Sequence, residues 1–326
     1  MNQHPSQTFH IRKLREEEWE KWNRFVLQQR DGTIFHTTYW LKHQPNRQLV
    51  VYGLFKDDEL VGGYPVCVFS KFGFKLASRP IMTPYSGPVV SDAIIREQKV
   101  RKVAGIFLQI AKEFDAFRFS PPPQAIEISN ELSSNTSTLK KRTNRLQFTA
   151  DQNLFNTYSS SLRNHIRKAR KKSLNVELSH DFDIVYDLSV ASYKNSGRDH
   201  PFKKKSFMSL ITELGEFGLS KSYVVRLPDG TPVAACWIPR DRNFGYNVIH
   251  GIDRKHSSLQ GGPMVLHKAI SDCMEDGLGF DFEGSMQDRI NKFYKEFGSR
   301  ELSYSEISGI NHRVLNMLDR LNIKKF

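Results

Sequence analysis

The chain has 326 residues, of which 39% are hydrophobic and 25% charged; this ordinary globular composition excludes disordered, collagen-like and coiled-coil proteins. It carries 48 Lys and Arg against 35 Asp and Glu, a net charge of +13, and no apolar run approaches the roughly 18 residues that a membrane span needs. We therefore expect a cytoplasmic protein with no integral membrane segment, built from one large domain or two moderate ones.

The first half of the chain predicts an antiparallel meander followed by a helix. Apolar stretches at 49–55 and 60–70 are separated by the polar turn 56–59, which is the pattern of a hairpin. Helical spacing of apolar residues over 96–114 and a short apolar segment at 116–119 predict a helix and a further strand.

The middle of the chain contains the domain junction. Three prolines at 121–123 and a polar run at 133–138 are loop signals, and they predict a junction within 130–155. We place the two domains at 1–150 and 151–326.

Positive charge is concentrated in 140–172, where ten Lys and Arg stand against one acidic residue, Asp151, a net +9 in 33 residues. Three serines at 159–161 predict the N-cap of a helix in this segment. The helix would carry an apolar stripe beside a cationic one, formed by Leu162, Ile166 and Ala169 and by Arg163, Arg167 and Arg170. Such a segment favours a phosphate-bearing partner, although basic surface helices without any partner have the same pattern.

The second half repeats the pattern of the first. Apolar stretches at 221–227, 232–238 and 244–252 are separated by turn residues and predict three strands. At an offset of 172 residues, Val-Gly-Gly at 61–63 falls on Val-Ala-Ala at 233–235. We interpret the chain as two related α/β units.

A glycine pair, Gly261 and Gly262, stands at the start of the next predicted helix, which Pro263 and Gly277 bracket. Free N–H groups and the helix dipole favour an anion at such a position, and a pyrophosphate would fit. The alternative is that the glycines only form a tight turn into the helix. The pair is neither a Walker loop nor a GxGxxG fingerprint.

Several motifs in this order resemble the Fem-like acyltransferases, a branch of the GNAT (N-acetyltransferase-like) superfamily. They are SLRNHIRKA at 161–169, SLQGG at 258–262, FDFEG at 280–284 and KFYKEFG at 292–298. A weaker match lies at 33–41, so the resemblance covers mainly residues 155–305. The best-known members of that family add amino acids to peptidoglycan precursors.

The resemblance implies two tandem GNAT-like domains of α/β (α+β) class, each a mixed, mostly antiparallel sheet flanked by helices. It implies transfer of an acyl or aminoacyl group from acyl-CoA or aminoacyl-tRNA to an amine acceptor, either a small molecule or a peptide. A backbone N–H within 247–251 would polarise the donor carbonyl. The donor would be held by Gln260, Gly261, Gly262, Arg163 and Arg167.

Four residues are candidates for proton transfer from the amine: Glu283, His250, Tyr246 and Asp281. Asp281 and Glu283 are two residues apart on a predicted strand and would face the same side. The alternatives are that Asp281 accepts backbone hydrogen bonds, that His250 is a core histidine, and that Tyr246 packs in the core with its hydroxyl at the cleft rim. Catalysis by positioning alone, with no dedicated base, also remains open.

Acceptor binding is assigned through the resemblance to Lys295, Tyr294 and Arg198. The segment at 292–298 departs from the family's FKxGFG pattern, because Tyr294 occupies the lysine position. Eleven histidines and three scattered cysteines show no HExxH or CxxC spacing, so we predict no metal. The competing functions are a non-catalytic tRNA- or polyanion-binding protein and a degenerate structural member of the fold.

Overall fold

The computed structural model describes residues 8–134, 136–149, 152–283 and 287–320. The chain divides into two compact units, one formed by Met1–Lys140 with Tyr304–Phe326 and the other by Lys141–Ser303. The return of the C-terminal segment to the first unit is a feature that the sequence-based division into 1–150 and 151–326 does not contain. That division remains a prediction.

The elements of the first unit, in chain order, are β1 (Phe9–Lys13), α1 (Trp19–Gln28), α2 (Thr38–Leu41), β2 (Gln48–Lys56), β3 (Glu59–Lys71), β4 (Phe74–Ala77), β5 (Val89–Val90), α3 (Asp92–Arg96), α4 (Val100–Ala111), β6 (Ala116–Phe119), α5 (Ile126–Ser133) and the beginning of β7 (Ser137–Leu146). Those of the second are the rest of β7, then α6 (Leu154–Thr157), α7 (Ser160–Lys171), β8 (Asn175–Leu178), α8 (Phe182–Asn195), α9 (Lys204–Glu216), β9 (Ser220–Arg226), β10 (Pro232–Pro239), β11 (Phe244–Tyr246), β12 (Ile249–Ile252), α10 (Gly261–Glu275), β13 (Gly279–Asp281) and α11 (Asp288–Lys295). Strand β14 (Arg300–Ile310) begins in the second unit and ends in the first, where α12 (Arg313–Arg320) follows.

The sheet of the first unit has the strand order β1-β2-β3-β4-β6-β14, and β5 also pairs with β3. All neighbours are antiparallel except β4 and β6, which run parallel. Asp57 and Asp58 both have left-handed φ angles, 48° and 65°, as the tight turn between β2 and β3 requires. The predicted meander is confirmed, and helix α4 occupies the middle of the predicted 96–114 segment.

The second unit contains an antiparallel sheet of order β12-β10-β9-β8. In a separate set of pairings, β13 runs antiparallel to β7 and parallel to β11. Helices α7 and α10 pack their apolar stripes into one core with these strands. Ser159 caps α7 as predicted, because its Oγ accepts the Leu162 N–H at 3.1 Å.

The predicted strand over 244–252 is interrupted, and this difference from the sequence analysis creates the site described below. It divides at Asn247 and Val248 into β11 and β12, which pair with different strands. The predicted class of mixed α/β structure with mostly antiparallel sheets is confirmed. Within the described ranges, none of the helices combines the length and apolarity that crossing a bilayer requires.

Candidate active site

The site lies where β12 separates from β13. Strand β13 pairs with β11 on one side and β7 on the other, whereas β12 pairs with β10. Among the described residues, no strand pairs with the second edge of β12. A gap between two such diverging strands exposes backbone polar groups to a ligand.

The hydrogen-bond alternation of β12 identifies which N–H groups face this gap. Asp253 donates its N–H to Val233 on the β10 side at 2.9 Å, so in the antiparallel register Gly251 and Ile249 face β10 as well. The N–H groups of Ile252 and His250 therefore point away from β10. Ile252 N–H is bonded at 2.9 Å to the Ser192 Oγ.

The remaining amides of the break are occupied. Asn247 donates its N–H to the Asp281 carbonyl and Val248 to the Tyr246 carbonyl, both at 2.9 Å. Of the backbone donors predicted within 247–251, the His250 N–H is therefore the one that the strand geometry directs into the gap.

Two helices contact β12 on opposite faces. An ideal Cβ on Gly251 would come within 2.6 Å of the Leu188 backbone in α8, so a larger residue would displace that helix. On the other face, an ideal Cβ on Gly262 would lie 2.6 Å from the Ile252 Cδ1 and 3.2 Å from the His250 Nε2. The start of α10 is thus held directly against the strand that borders the gap.

The beginning of α10 supplies two backbone donors. Pro263 has no N–H, and Met264 donates to the Gln260 carbonyl at 3.4 Å, which leaves the amides of Gly261 and Gly262 as the first-turn donors. Gln260 adopts a left-handed φ of 64°, and its side chain makes no capping hydrogen bond within the described helix. Both glycines are buried, so the close-packing explanation accounts for their presence without any phosphate.

The His250 side chain packs between this helix start and α11. Its ring is parallel to that of Phe293 at a centroid distance of 6.3 Å. Burial lowers the pKa of His250 to about 4, with a smaller opposing effect from the Gly262 backbone, so the imidazole is neutral near pH 7. Its Nε2 is buried and makes no hydrogen bond of normal geometry with the described residues.

Asp281 holds the end of β13 and is fully buried. Its carboxylate accepts hydrogen bonds from the Thr143 Oγ1 at 2.5 Å, from the Arg145 Nε at 2.6 Å and from the Glu283 N–H at 2.9 Å. These contacts agree with the alternative of a carboxylate that organises the backbone. They oppose the candidate role of proton acceptor, because the three hydrogen bonds engage both carboxylate oxygens inside the core.

Glu283 does not share a strand face with Asp281, contrary to the sequence prediction. Strand β13 ends at Asp281, and Glu283 has a left-handed φ of 51°, so the alternation of strand side chains does not extend to it. A non-glycine residue in this conformation is strained, and strain of this kind is concentrated at functional sites. Gly284, the last residue of the FDFEG motif, lies outside the described residues.

Glu283 lies close to two tyrosines from different helices. Burial raises the pKa of Tyr294 in α11 and of Tyr193 in α8, and the negative charge of Glu283 adds to both shifts. Asn247 is only 5% exposed and lies near the Tyr294 hydroxyl. The Asn247 side chain interacts with that hydroxyl and partly offsets the rise in the Tyr294 pKa, although neither amide atom reaches normal hydrogen-bond geometry with the described residues. These four side chains converge where the strands separate.

Three other predicted residues lie differently from the sequence analysis. Tyr246 is fully buried and donates its hydroxyl to the Asp241 Oδ2 at 2.7 Å, so the hydroxyl is not at a cleft rim. Lys295 forms an ion pair with Glu301 at 3.0 Å, a partner that competes with any acceptor anion. Tyr294 stacks on Phe282 with centroids 4.6 Å apart, which fits core packing of its ring.

Arg198, the third predicted acceptor residue, lies beside Tyr193. It is exposed, and its guanidinium lies 5.2 Å from the centre of the Tyr193 ring. Opposite charges on Arg198 and Glu283 act on the same Tyr193 hydroxyl, one lowering and the other raising its pKa. The polar loop after α8 is therefore adjacent to the site.

The basic segment 140–172 does not form one continuous surface. Arg145 on β7 is 5% exposed and pairs with Asp281, and Arg142 pairs with Asp288 at 2.7 Å. On α7 the exposed Arg167 and Arg170 both lie 5.6 Å from the centre of the Phe155 ring. The predicted cationic face is limited to this helix, where Arg163 donates to the Tyr158 carbonyl at 2.8 Å.

Sequence reasoning missed the side chains of Asn247 and Tyr193. A signal for the first was available, since asparagine is depleted from strands and Asn247 interrupts the apolar run 244–252. Tyr193 had no such signal, because only the fold brings α8 to the end of β13. Within the parts of the chain that the structure describes, no three His, Cys, Asp or Glu side chains are grouped to hold a metal ion.

Comparison with known proteins confirms the resemblance predicted from the sequence. Residues 159–296 match the family model described as acetyltransferase (GNAT) domain. The fold is similar to the crystal structure of FemX, with a TM-score of 0.73 and 13% identity over 95% of this chain and 99% of that one.

Two further solved structures are similar to the chain. L-PGS from Bacillus licheniformis has a TM-score of 0.57 at 9% identity, covering 95% of this chain and 96% of that one. A tandem GNAT protein from the clavulanic acid biosynthesis pathway has a TM-score of 0.51 at 8% identity, covering 93% and 98%. At such identities the likeness establishes the fold. No curated protein sequence matches the chain.

Proposed function

Because residues 159–296 match a GNAT acetyltransferase domain within a FemX-like fold, which supports N-acyltransferase activity in general, we propose that the second unit transfers an acyl or aminoacyl group to an amine at the gap beside β12. The observation that carries this proposal is the unpaired edge of β12 at His250, directly beside the start of α10. The acceptor is a small molecule or a peptide that presents a primary amine.

The His250 N–H would donate to the carbonyl oxygen of the donor. As the amine attacks, this oxygen gains negative charge, and a fixed backbone donor stabilises it more strongly than it stabilises the ground-state carbonyl. A carbon–nitrogen bond forms, and the bond from the carbonyl carbon to the donor's sulfur or oxygen breaks. The leaving thiolate or alkoxide takes up a proton.

Glu283 is our assignment for the proton acceptor. It lies beyond the end of β13 and close to Tyr294, whose hydroxyl the Asn247 side chain also approaches. His250 is a weaker candidate, because its imidazole is enclosed between the start of α10 and the Phe293 ring. Removal of one proton from the attacking ammonium group is all that the reaction requires of this residue.

Two donors are compatible with the site. Acyl-CoA would place its diphosphate at the Gly261 and Gly262 amides, where the positive end of the α10 dipole favours anions. Aminoacyl-tRNA would instead use the cationic face of α7, where Arg167 and Arg170 flank Phe155. A non-catalytic polyanion-binding protein would retain only the cationic face of α7.

The test of the CoA donor is Gln260→Glu, measured by thermal shift with a panel of acyl-CoAs. This change places a negative charge at the N-terminus of α10 while preserving side-chain size, and the helix dipole favours that charge in the free protein. We expect the wild type to be stabilised by acyl-CoA and the variant to bind about fivefold to tenfold more weakly, as one added charge near a diphosphate predicts. Gln260→Asn is the neutral control, since asparagine also tolerates the left-handed conformation.

Gly262→Glu is a poor alternative, because its Cβ would collide with Ile252 even without a charge effect. No shift of the wild type with any acyl-CoA would exclude that donor. Charged tRNA is tested alongside with Arg163, Arg167 and Arg170 changed to Glu, which should abolish tRNA binding and leave acyl-CoA binding intact. Binding of tRNA without transfer to any amine would favour the non-catalytic alternative, and neither binding nor transfer would favour a degenerate member.

A further inference from the structure

The first unit contains a groove of about 970 Å³ that the proposed transferase site does not use. It is bounded by strands β4, β6 and β14 and by helices α4 and α12. Its apolar lining is formed by Phe69, Leu76, Leu108, Phe117 and Ile310. This volume is at the upper end of the range typical of small-molecule sites.

The charged residues of the groove are cationic. Lys112 is exposed immediately after the C-terminal end of α4, and Arg118 lies on β6; among the described lining residues there is no carboxylate. Arg118 is 3.7 Å from Glu306, which balances part of its charge. Lys112 is exposed to solvent. The groove thus combines its apolar lining with cations and with uncharged polar residues such as Gln109, Thr136 and Asn311. This combination matches an amphiphile that has an apolar chain and a polar, anionic head.

The β3–β4 hairpin, which contributes Phe69 and Leu76, has an unusual residue in its turn. Phe72, at its tip, is 69% exposed and has a left-handed φ of 53°. A bulky aromatic side chain in this conformation is rare, and glycine or asparagine is the usual choice. Lys71 and Lys75 flank the tip and are exposed.

Phe69 and Leu76 face each other in the register of β3 and β4, three residues from the tip. The exposed aromatic residue therefore lies within about 10 Å of the strand pair that lines the groove, given the rise of a strand. Helix α12 contributes Asn316 to the groove lining and exposes Met317, which is 55% accessible. Exposed apolar residues among lysines are the chemistry of an interfacial membrane anchor.

We propose that this groove binds one anionic phospholipid, drawn from a bilayer surface that Phe72 and its flanking lysines contact. An acyl chain would lie on the apolar lining, and the phosphate would pair with Lys112 at the rim. Three nearby carboxylates have other partners: Glu306 lies 3.7 Å from Arg118, Asp115 accepts the Lys75 backbone N–H at 2.7 Å, and Glu113 accepts the Tyr52 hydroxyl at 3.1 Å. The inference does not depend on the transferase proposal, because its residues all belong to the first unit.

The groove is tested with dihexanoyl-phosphatidylglycerol, which is soluble, and with dihexanoyl-phosphatidylcholine as the neutral lipid, by calorimetry on the full chain. We expect the anionic lipid to bind at least tenfold more tightly. Gly105→Leu should abolish this binding, because nothing lies within 4 Å of an ideal Cβ at this helical position and the larger side chain would fill the groove. Lys112→Glu should weaken it about fivefold or more.

Bilayer contact is tested by sedimentation with vesicles of phosphatidylcholine alone and with one third phosphatidylglycerol. Phe72→Ser should reduce binding to the anionic vesicles several-fold and leave the soluble lipid bound. Phe217→Ser, at a phenylalanine 54% exposed in the second unit, is the matched control and should bind like the wild type.

Equal binding of both soluble lipids, or unchanged binding by Gly105→Leu and Lys112→Glu, would overturn the groove assignment. The bilayer contact would be overturned if the wild-type protein did not bind anionic vesicles. It would also be overturned if Phe217→Ser reduced vesicle binding as much as Phe72→Ser.

Discussion

Replacing Asp281 by Asn separates a structural role of this carboxylate from a catalytic one. The wild-type carboxylate accepts three hydrogen bonds, and its partner Arg145 is only 5% exposed. If the asparagine oxygen keeps the bonds from Thr143 and Glu283, its NH₂ group faces the Arg145 Nε, and two donors oppose each other. The guanidinium then stays buried without its ion pair to Asp281.

The magnitude follows from this geometry. Breaking a buried ion pair by removing one partner costs about 3–5 kcal/mol, because the other charge stays desolvated. The contact of Arg145 with the Phe244 ring, 4.3 Å from the ring centre, is retained and places the expected loss toward the lower part of that range. For a unit of this size, such a loss lowers the melting midpoint by roughly 6–20 °C.

The assay is thermal and urea unfolding of wild type, Asp281→Asn and a matched surface control. Arg142 and Asp288 form an ion pair of similar length, 2.7 Å, but Asp288 is 83% exposed, so Asp288→Asn should leave the midpoint nearly unchanged. An Asp281→Asn protein as stable as the wild type but devoid of transfer activity would refute the structural role and return Asp281 to the list of catalytic candidates.

Two other substitutions probe the site and the acid stability. Glu283→Gln keeps the shape of the strained residue and should lower kcat by about 10²–10⁴ without lowering the melting midpoint; a change confined to KM would argue against proton transfer. Complete burial lowers the pKa of His36 to about 3. Below a pH of about 6.5 His36 is therefore protonated in the unfolded chain and stays neutral in the folded chain. Stability is therefore full above that pH and falls as the pH drops toward 3, and His36→Gln should flatten this fall by up to about 1.4 kcal/mol per pH unit between pH 6 and 4. If the stability of the wild type and of His36→Gln fell in parallel with pH, this assignment to His36 would be wrong.

Local patterns in the sequence were sufficient for much of the fold. The polar turn between two apolar runs predicted the β2–β3 hairpin, and serines before a two-striped segment predicted α7 and its cap at Ser159. Strands such as β7 and β14 were not predicted, because their exposed halves lack the apolar alternation that identifies a strand. Pairing with distant segments stabilises them, and single-sequence periodicity contains no information about that pairing.

The elements around the candidate site were predictable from the sequence, and the contacts of its residues were not. The strand, helix start and strand predicted within 244–283 are present in the structure. The role of Asp281 as a base stays a prediction, and the contacts that oppose it come from Thr143 and Arg145, more than 130 residues away in the chain. Glu283 was expected on a regular strand, and a left-handed φ at a non-glycine residue cannot be read from sequence spacing.

The break at Asn247 explains how an ordinary sheet edge becomes a selective donor. A strand that continued straight through 244–252 would pair throughout, and its amides would be used by neighbouring strands. Here each displaced amide except that of His250 has a local acceptor: the Asp281 carbonyl for Asn247, the Tyr246 carbonyl for Val248 and the Ser192 hydroxyl for Ile252. Those local hydrogen bonds hold the two half-strands apart.

An amide held in this way costs the folded protein about 1–3 kcal/mol if water does not reach it. A donor carbonyl that binds there recovers this energy, and the recovery increases as the carbonyl oxygen becomes an oxyanion. The buried Asn247 side chain interacts with the Tyr294 hydroxyl beside this donor. The His250 N–H thus points to where the carbonyl oxygen would gain charge, which is the arrangement that differential binding of a transition state requires.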